Sequence, residues 1–245
     1  MRSLGFVSLA VAVAVALVIA CSPSGSATPP GTTQADNPPA PQQADAGSNA
    51  AQTGVTRGFD EDAANAPPPG FLFARTGVGA PGQWVVRAES GAPSGANVLA
   101  QLDADRTDER FPLAVLETPS VRDVRVSVQC QMVSGEVDQA CGLVARYRDE
   151  DNYYVTRANA IENNIRLYYV RNGRRQQIAT WSGAVTANTW HAYRFEVQGD
   201  HLRVFWDDQL VIDHRDATFV DTGRVGLWTK ADSVTYFDEL RITPL

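Results

Sequence analysis

From residue 57 to 245, period-two alternation of apolar and polar residues is common, and turn signals break it at short intervals. Period two sends successive side chains to opposite faces of a strand, whereas a helix needs apolar residues three and four apart. In Val121 to Cys130, Val124, Val126 and Val128 alternate with Arg125, Ser127 and Gln129. Asn152 to Ala160 sets Tyr153, Val155, Arg157 and Asn159 on one face. Ile165 to Arg171 and Arg174 to Trp181 flank Asn172-Gly173, the strongest short hairpin signal, because both residues accept the positive φ of a type I′ turn. Further strands are expected at Trp190 to Val197, Leu202 to Trp206, Leu210 to Asp213, Gly223 to Thr229 and Val234 to Ile242. About a dozen strands joined by tight turns predict an all-β, two-sheet antiparallel sandwich. The inward set comprises Val124, Val126, Val128, Leu143, Tyr193, Phe195, Val197, Leu202, Val204, Val225, Leu227 and Phe237.

Two unlike segments precede this domain. Residues 1–21 carry Arg2, then an unbroken run of apolar and small residues from Leu4 to Ala20, then Cys21. A run of that length suits a signal peptide better than a spanning helix. Its end, Val18-Ile19-Ala20-Cys21, resembles the bacterial lipobox, which implies lipidation of Cys21 and an exported, cell-envelope protein held to the membrane by its acyl chains. Ser22 after the cysteine implies the outer membrane in a Gram-negative cell. The alternative is an ordinary secretory peptide or an uncleaved anchor. Residues 22–56 are rich in Pro, Ala, Gln and Ser, and Val55 is their only large aliphatic. Such a chain cannot bury enough apolar surface to order itself, so a disordered tether is expected, with a reach of roughly 30–35 Å as a flexible coil.

The chemistry-bearing residues are few. Twenty-one Lys and Arg against 28 Asp and Glu give a net charge of −7, which speaks against a nucleic-acid partner. With Cys21 as the anchor, Cys130 and Cys141 remain. A hairpin around Ser134-Gly135 would set them opposite each other, and an exported protein would oxidise them. The alternative is two buried thiols. No C-x2-4-C pair offers a zinc site, and His191, His201 and His214 lie near no nucleophile motif.

Several runs together resemble the concanavalin A-like lectin/glucanase superfamily: FDEDAANAPPPGF, VLAQLDADRTDERFPLAV, GLVARYRDEDNYYVTRANAIENNIRLYYVRNGRRQQIA, WHAYRFEVQGDHLRVFWDDQLVIDHRDATF and GRVGLWTKADSVTYFDELRI. Within it the chain is most similar to laminin-G-like bacterial domains grouped with the 3-keto-disaccharide hydrolase family. The resemblance implies a jelly roll whose concave face carries any sugar site. The function it implies is a membrane-tethered carbohydrate-binding domain, the alternative being a glycoside-cleaving enzyme of the 3-keto-disaccharide hydrolase type and the second alternative a non-catalytic adhesion module. The superfamily's β-glucanases carry Glu-x-Asp-x-x-Glu on a concave strand. Here the near match is Glu136-Val137-Asp138, Cys141 stands where the second Glu is due, and the run falls in an expected turn, so that activity is excluded.

Four constellations remain. Arg146, Arg157, Asn159, Asn164, Arg166 and Arg175 fall on successive strands, interleaved with Tyr153, Tyr154, Tyr168 and Tyr169. Planar Arg and Asn groups make paired, directed hydrogen bonds to hydroxyls or carboxylates, and ring faces stack on sugars. The bland reading is a solvated sheet face with cross-strand ion pairs. Trp228, Lys230 and Asp232 form the second candidate, since Lys230 is the only lysine in the chain; against it stands a solvated turn with a Lys230–Asp232 pair. The resemblance brings Asp60 and Asp238 forward as calcium ligands between the first and last strands, the alternative being that Asp238 binds backbone amides. The acidic run Asp103, Asp105, Asp108 and Glu109 with Arg106 and Arg110 reads as an exposed, salt-bridged surface or as a source of catalytic carboxylates.

Overall fold

The computed structural model describes residues 54–245, so residues 1–53, including Cys21 and nearly all of the expected tether, lie outside the described residues. Fifteen strands and no helix occupy the described part. In chain order they are β1 (Val55–Arg57), β2 (Phe71–Gly77), β3 (Trp84–Ala88), β4 (Asn97–Gln101), β5 (Arg110–Leu116), β6 (Val124–Ser134), β7 (Ala140–Asp149) and β8 (Asn152–Asn159). They continue as β9 (Asn164–Arg171), β10 (Arg174–Ser182), β11 (His191–Gln198), β12 (His201–Trp206), β13 (Gln209–Arg215), β14 (Arg224–Trp228) and β15 (Val234–Pro244). β1 starts two residues before the expected domain boundary, paired with β15.

Two antiparallel sheets form a sandwich. One has eight strands in the order β13-β12-β11-β6-β15-β4-β3, with β1 also on β15. The other has seven, β10-β9-β8-β7-β14-β5-β2. The Asn172-Gly173 hairpin forms as expected, with φ of 51° and 71°. Asp207-Asp208 makes the same kind of turn without a glycine, at φ of 46° and 64°. All twelve residues of the expected inward set lie in the buried cluster between the sheets. In the larger sheet alternation alone achieves this, because inward Val124, Val126 and Val128 are separated by Arg125 and Ser127, which take the other face.

The cysteines do bond, but not across a hairpin. β6 pairs with β11 and β15 in the larger sheet, and β7 pairs with β8 and β14 in the smaller. The turn at Ser134-Gly135 therefore crosses from one sheet to the other, and the disulfide Cys130–Cys141 staples the two sheets through the core.

The seven-stranded sheet buries both of its faces. Leu143, Tyr154, Ala158, Ile165 and Leu167 point inward, while Val144, Tyr153, Val155, Tyr168, Val170 and Trp228 pack on the outer side. Its curvature explains this. Arg175 of β10 lies 4.5 Å from the ring centroid of Phe111 on β5, five places away in the sheet. In a flat sheet those strands would stand about 24 Å apart. Thr76 of β2 likewise reaches the Tyr153 hydroxyl of β8 at 2.7 Å. The sheet therefore curls over this face, and side chains from its opposite edges meet there.

Candidate functional site

Strand register places the expected residues in rows across the concave face. Leu113, Trp228, Gly142, Arg157, Arg166 and Thr180 form one row on β5, β14, β7, β8, β9 and β10. Ala140, Asn159, Asn164 and Ser182 form the next, towards one end of the sandwich. The missing side chain in the first row has a purpose. A Cβ on Gly142 would meet Trp228 Cε3 and the Thr156 carbonyl oxygen, each at 3.0 Å, so the glycine lets the indole lie over β7. Gly142→Val is expected to push that indole out and cost about 1–3 kcal/mol, read as a lower thermal midpoint and altered tryptophan fluorescence.

The end of this face is built by three turns. The β6–β7 crossing brings in Asp138, the β8–β9 turn brings Glu162, and the β14–β15 turn brings Lys230. Lys230 Nζ donates to Asp138 Oδ2 at 2.9 Å and to Asp108 Oδ1. Asp138 Oδ1 accepts from Asn159 Nδ2. Glu162 Oε2 accepts from Arg157 Nη2 at 3.0 Å, Arg166 Nη2 at 2.9 Å and Asn164 Nδ2 at 3.0 Å. Arg157 Nη1 also donates to Asn164 Oδ1 at 2.6 Å. Asp138 is only 1% exposed, whereas Glu162 is 36% and Asp108 63% exposed.

The electrostatics follow from that layout. Burial pushes the Asp138 carboxyl up, outweighing the attraction of Lys230 and Arg157. Burial works against the Lys230 charge, but hydrogen bonds and charge from Asp108 and Asp138 hold its ammonium above the usual lysine range. Burial opposes the Glu162 charge as well, yet Asn164, Arg157 and Arg166 together pull that carboxyl down.

Six residues from the sequence reading thus converge: Asp108, Arg157, Asn159, Asn164, Arg166 and Lys230. Trp228 lies beneath them, fully buried and stacked on Phe111 at 5.5 Å, so it supports the face from below. Asp232 does not pair with Lys230. It accepts from the backbone N–H groups of Glu136, Val137 and Asp138, which fixes the crossing turn that carries Asp138.

Arg146 and Tyr154 are not part of this group. Arg146 lies six residues further along β7 with a φ of 50°, and its guanidinium donates to the carbonyls of Phe219, Arg122 and Gly199. Tyr154 points between the sheets, donates to Asp216 and accepts from Phe219 N at 3.0 Å. Both brace loops, because strand alternation turns Tyr154 inward and the irregular register after Ala145 redirects Arg146.

Asp60 and Asp238 converge on the loop before β4. Asp60 Oδ1 accepts from Ala96 N and Asn97 N at 2.7 and 3.0 Å, and Asp238 Oδ2 from Ser94 N at 2.8 Å. A calcium ion would compete with those amides for the same oxygens, and among the described residues no third His, Cys, Asp or Glu joins them. The acidic run divides: Asp103 and Asp105 pair with buried Arg110, and Asp108 alone reaches Lys230.

Residues 94–243, more than half of the chain, match the family described as the 3-keto-alpha-glucoside-1,2-lyase-like domain. The chain belongs to that family. The match includes every residue that converges at the end of the concave face. A levanase of Bacillus subtilis (strain 168) is 29% identical over 80 residues, which are 33% of this chain and 12% of the levanase, so the chain spans about an eighth of that relative. Among solved structures, the carbohydrate binding module CBM66 from Bacillus subtilis has a TM-score of 0.51 at 22% identity, covering 64% of this chain and 94% of that one. A prokaryotic beta-1,3-1,4-glucanase (lichenase) from a mouse hindgut metagenome has a TM-score of 0.53 at 11% identity, covering 79% of this chain and all of that one. These likenesses agree with the two-sheet sandwich inferred from the alternation and with the jelly roll that the resemblance implies.

A groove of about 240 Å³ lies on the opposite sheet, bordered by Arg125, Ser127, Arg194 and Arg241. Its arginines are committed to acids: Arg125 and Arg194 to buried Glu196, and Arg241 to Glu239. The concave face of this lyase-like domain is where carboxylates, an ammonium and guanidinium groups converge.

Two of its groups escaped the sequence reading. Asp138 falls in a turn within a failed glucanase motif, and Glu162 in an ordinary-looking turn before Asn163-Asn164. Asp138 meets Lys230 and Asn159 only through the pairing of β7 with β8 and β14, whereas Glu162 has its partners within five residues, on the two strands its turn joins.

Proposed function

We propose that the concave face binds a sugar and cleaves its glycosidic bond where the 3-position is a ketone. The observation that carries this reading is the Lys230–Asp108–Asp138 group beside the Arg157–Glu162–Arg166 network. A purely binding face needs planar donors and rings, whereas elimination needs ionisable groups that converge. A 3-ketone acidifies the C2–H bond. A base takes that proton, the electron pair forms the C1=C2 double bond, the C1–O bond breaks, and the departing oxygen takes a proton.

Lys230 suits the electrophile at the ketone oxygen, since its neighbours keep it charged. Asp108 suits the base: it reaches solvent and has Lys230 alone as its side-chain partner, while three donors sap the basicity of Glu162. Asp138 is the buried counter-charge that positions Lys230. Lipidation at Cys21 and a tether over 22–56 would place this chemistry in the cell envelope.

Assay of the intact protein on a 3-keto-glucoside tests the reading, with release of the aglycone as the expected result. The relatives named as a levanase and a carbohydrate binding module favour one second reading, glycan binding without chemistry. Glycan binding with no release would establish that reading and discard the lyase.

A further inference from the structure

Arg175 is the unusual cation of the concave face. It sits on the edge strand β10, and its guanidinium lies 4.5 Å from the Phe111 ring centroid, 4.7 Å from Tyr168 and 6.0 Å from Trp228. These rings attract a cation through their faces but accept nothing from N–H groups directed along the guanidinium plane. Arg175 makes no side-chain hydrogen bond to any described residue, its Nη1 is buried without a partner, and no described carboxylate lies within ion-pair distance.

The charge count at the site points the same way. Lys230, Arg157, Arg166 and Arg175 supply four positive charges, and Asp108, Asp138 and Glu162 supply three negative ones, all three already held by the first three cations. Arg175 is thus a cation of this face that no described carboxylate holds. The acids of the nearby β7–β8 turn, Asp149, Glu150 and Asp151, are exposed and form no ion pair with it. A guanidinium held against aromatic faces with free donor edges is preorganised for an anionic oxygen pair, since little side-chain freedom remains to be lost.

We propose that Arg175 is the anion-recognition residue of the concave face, so that the preferred ligand is a sugar carrying an acidic group such as a carboxylate or a phosphate. This rests on the concave face being the sugar site. The ligand's ring would lie towards Lys230, and its acidic group would meet the donor edge of Arg175.

Titration of the intact protein with glucose, glucuronate and glucose 6-phosphate, followed by calorimetry and intrinsic fluorescence, tests it. Glucuronate or glucose 6-phosphate should bind about 10- to 100-fold more tightly than glucose, the span of one charge-assisted pair, and which of the two is favoured identifies the acidic group. Arg175→Gln should erase that preference, and Arg175→Lys should restore part of it. A thermal scan checks that both variants fold, and the lysine variant keeps the stem and charge if the glutamine variant does not. Equal affinity for glucose and the acidic sugars in the wild type, or a preference that survives Arg175→Gln, overturns the proposal alone. Absence of binding to all three sugars overturns both it and the sugar-site reading.

Discussion

Lys230→Met is expected to lower kcat on a 3-keto-glucoside by about 10²- to 10⁴-fold, the span of a positioned acid or base. It should also destabilise the fold, because Asp138 then sits 1% exposed without its cation. Removing one partner of a buried pair costs about 3–5 kcal/mol, which serves here as an upper bound because Asp138 can take up a proton instead. That escape gives the effect a pH signature. Burial already raises the folded-state value of Asp138 above its unfolded value, and loss of Lys230 raises it further. A carboxyl raised in this way is at no disadvantage below its unfolded value and loses stability as pH rises towards the folded one. The extra destabilisation of Lys230→Met over the wild type should therefore set in above the wild-type folded-state value of Asp138 and grow as pH rises further. Adding Asp138→Asn should recover stability without recovering turnover. Thermal unfolding across pH, beside kinetics on the same samples, reads both effects. A variant that keeps wild-type kcat removes Lys230 from the chemistry, and a pH-independent loss of stability refutes the buried-charge account.

The second large effect concerns the sandwich itself. Cys130 and Cys141 are 11 residues apart in sequence, fully buried, and bridge the two sheets. Closing a loop of that size restricts the unfolded chain by about 3 kcal/mol in the chain-entropy account. Replacing both residues with alanine should lower the thermal midpoint by about 6–12 °C for a domain of this size. Dithiothreitol should lower the wild-type midpoint comparably and leave the double variant unchanged. If both proteins melt together with and without reductant, the bridge contributes nothing to stability. Because Cys141 is the second residue of β7, three residues after Asp138, the variant should also show weaker sugar binding.

The legibility of this chain divides along one physical line. The alternation of Val124, Val126 and Val128, the Asn172-Gly173 turn and the inward Tyr193, Phe195 and Val197 were readable because each depends on neighbours two residues away. Arg157, Asn159, Asn164 and Arg166 were readable as a group because β8 and β9 form a hairpin, and hairpin register follows from the chain. Lys230 stands out in the sequence as the sole lysine beside Trp228 and Asp232, and the bland alternative of a Lys230–Asp232 pair does not form. Adjacent positions along a turn point apart, and Asp232 turned to the amides of residues 136–138.

By itself, then, the sequence determined a two-sheet β sandwich, its inward residues and a polar strip on consecutive strands. Tertiary structure alone decided that β6 and β7 part into different sheets, and that Asp108, Asp138 and Lys230 meet although 122 residues separate the outer two. It also decided that the smaller sheet curls until Arg175 reaches Phe111. Side-chain alternation is a short-range consequence of backbone geometry. Sheet partnership and curvature are set by which strands win each hydrogen-bonding edge, and that competition involves the whole chain at once.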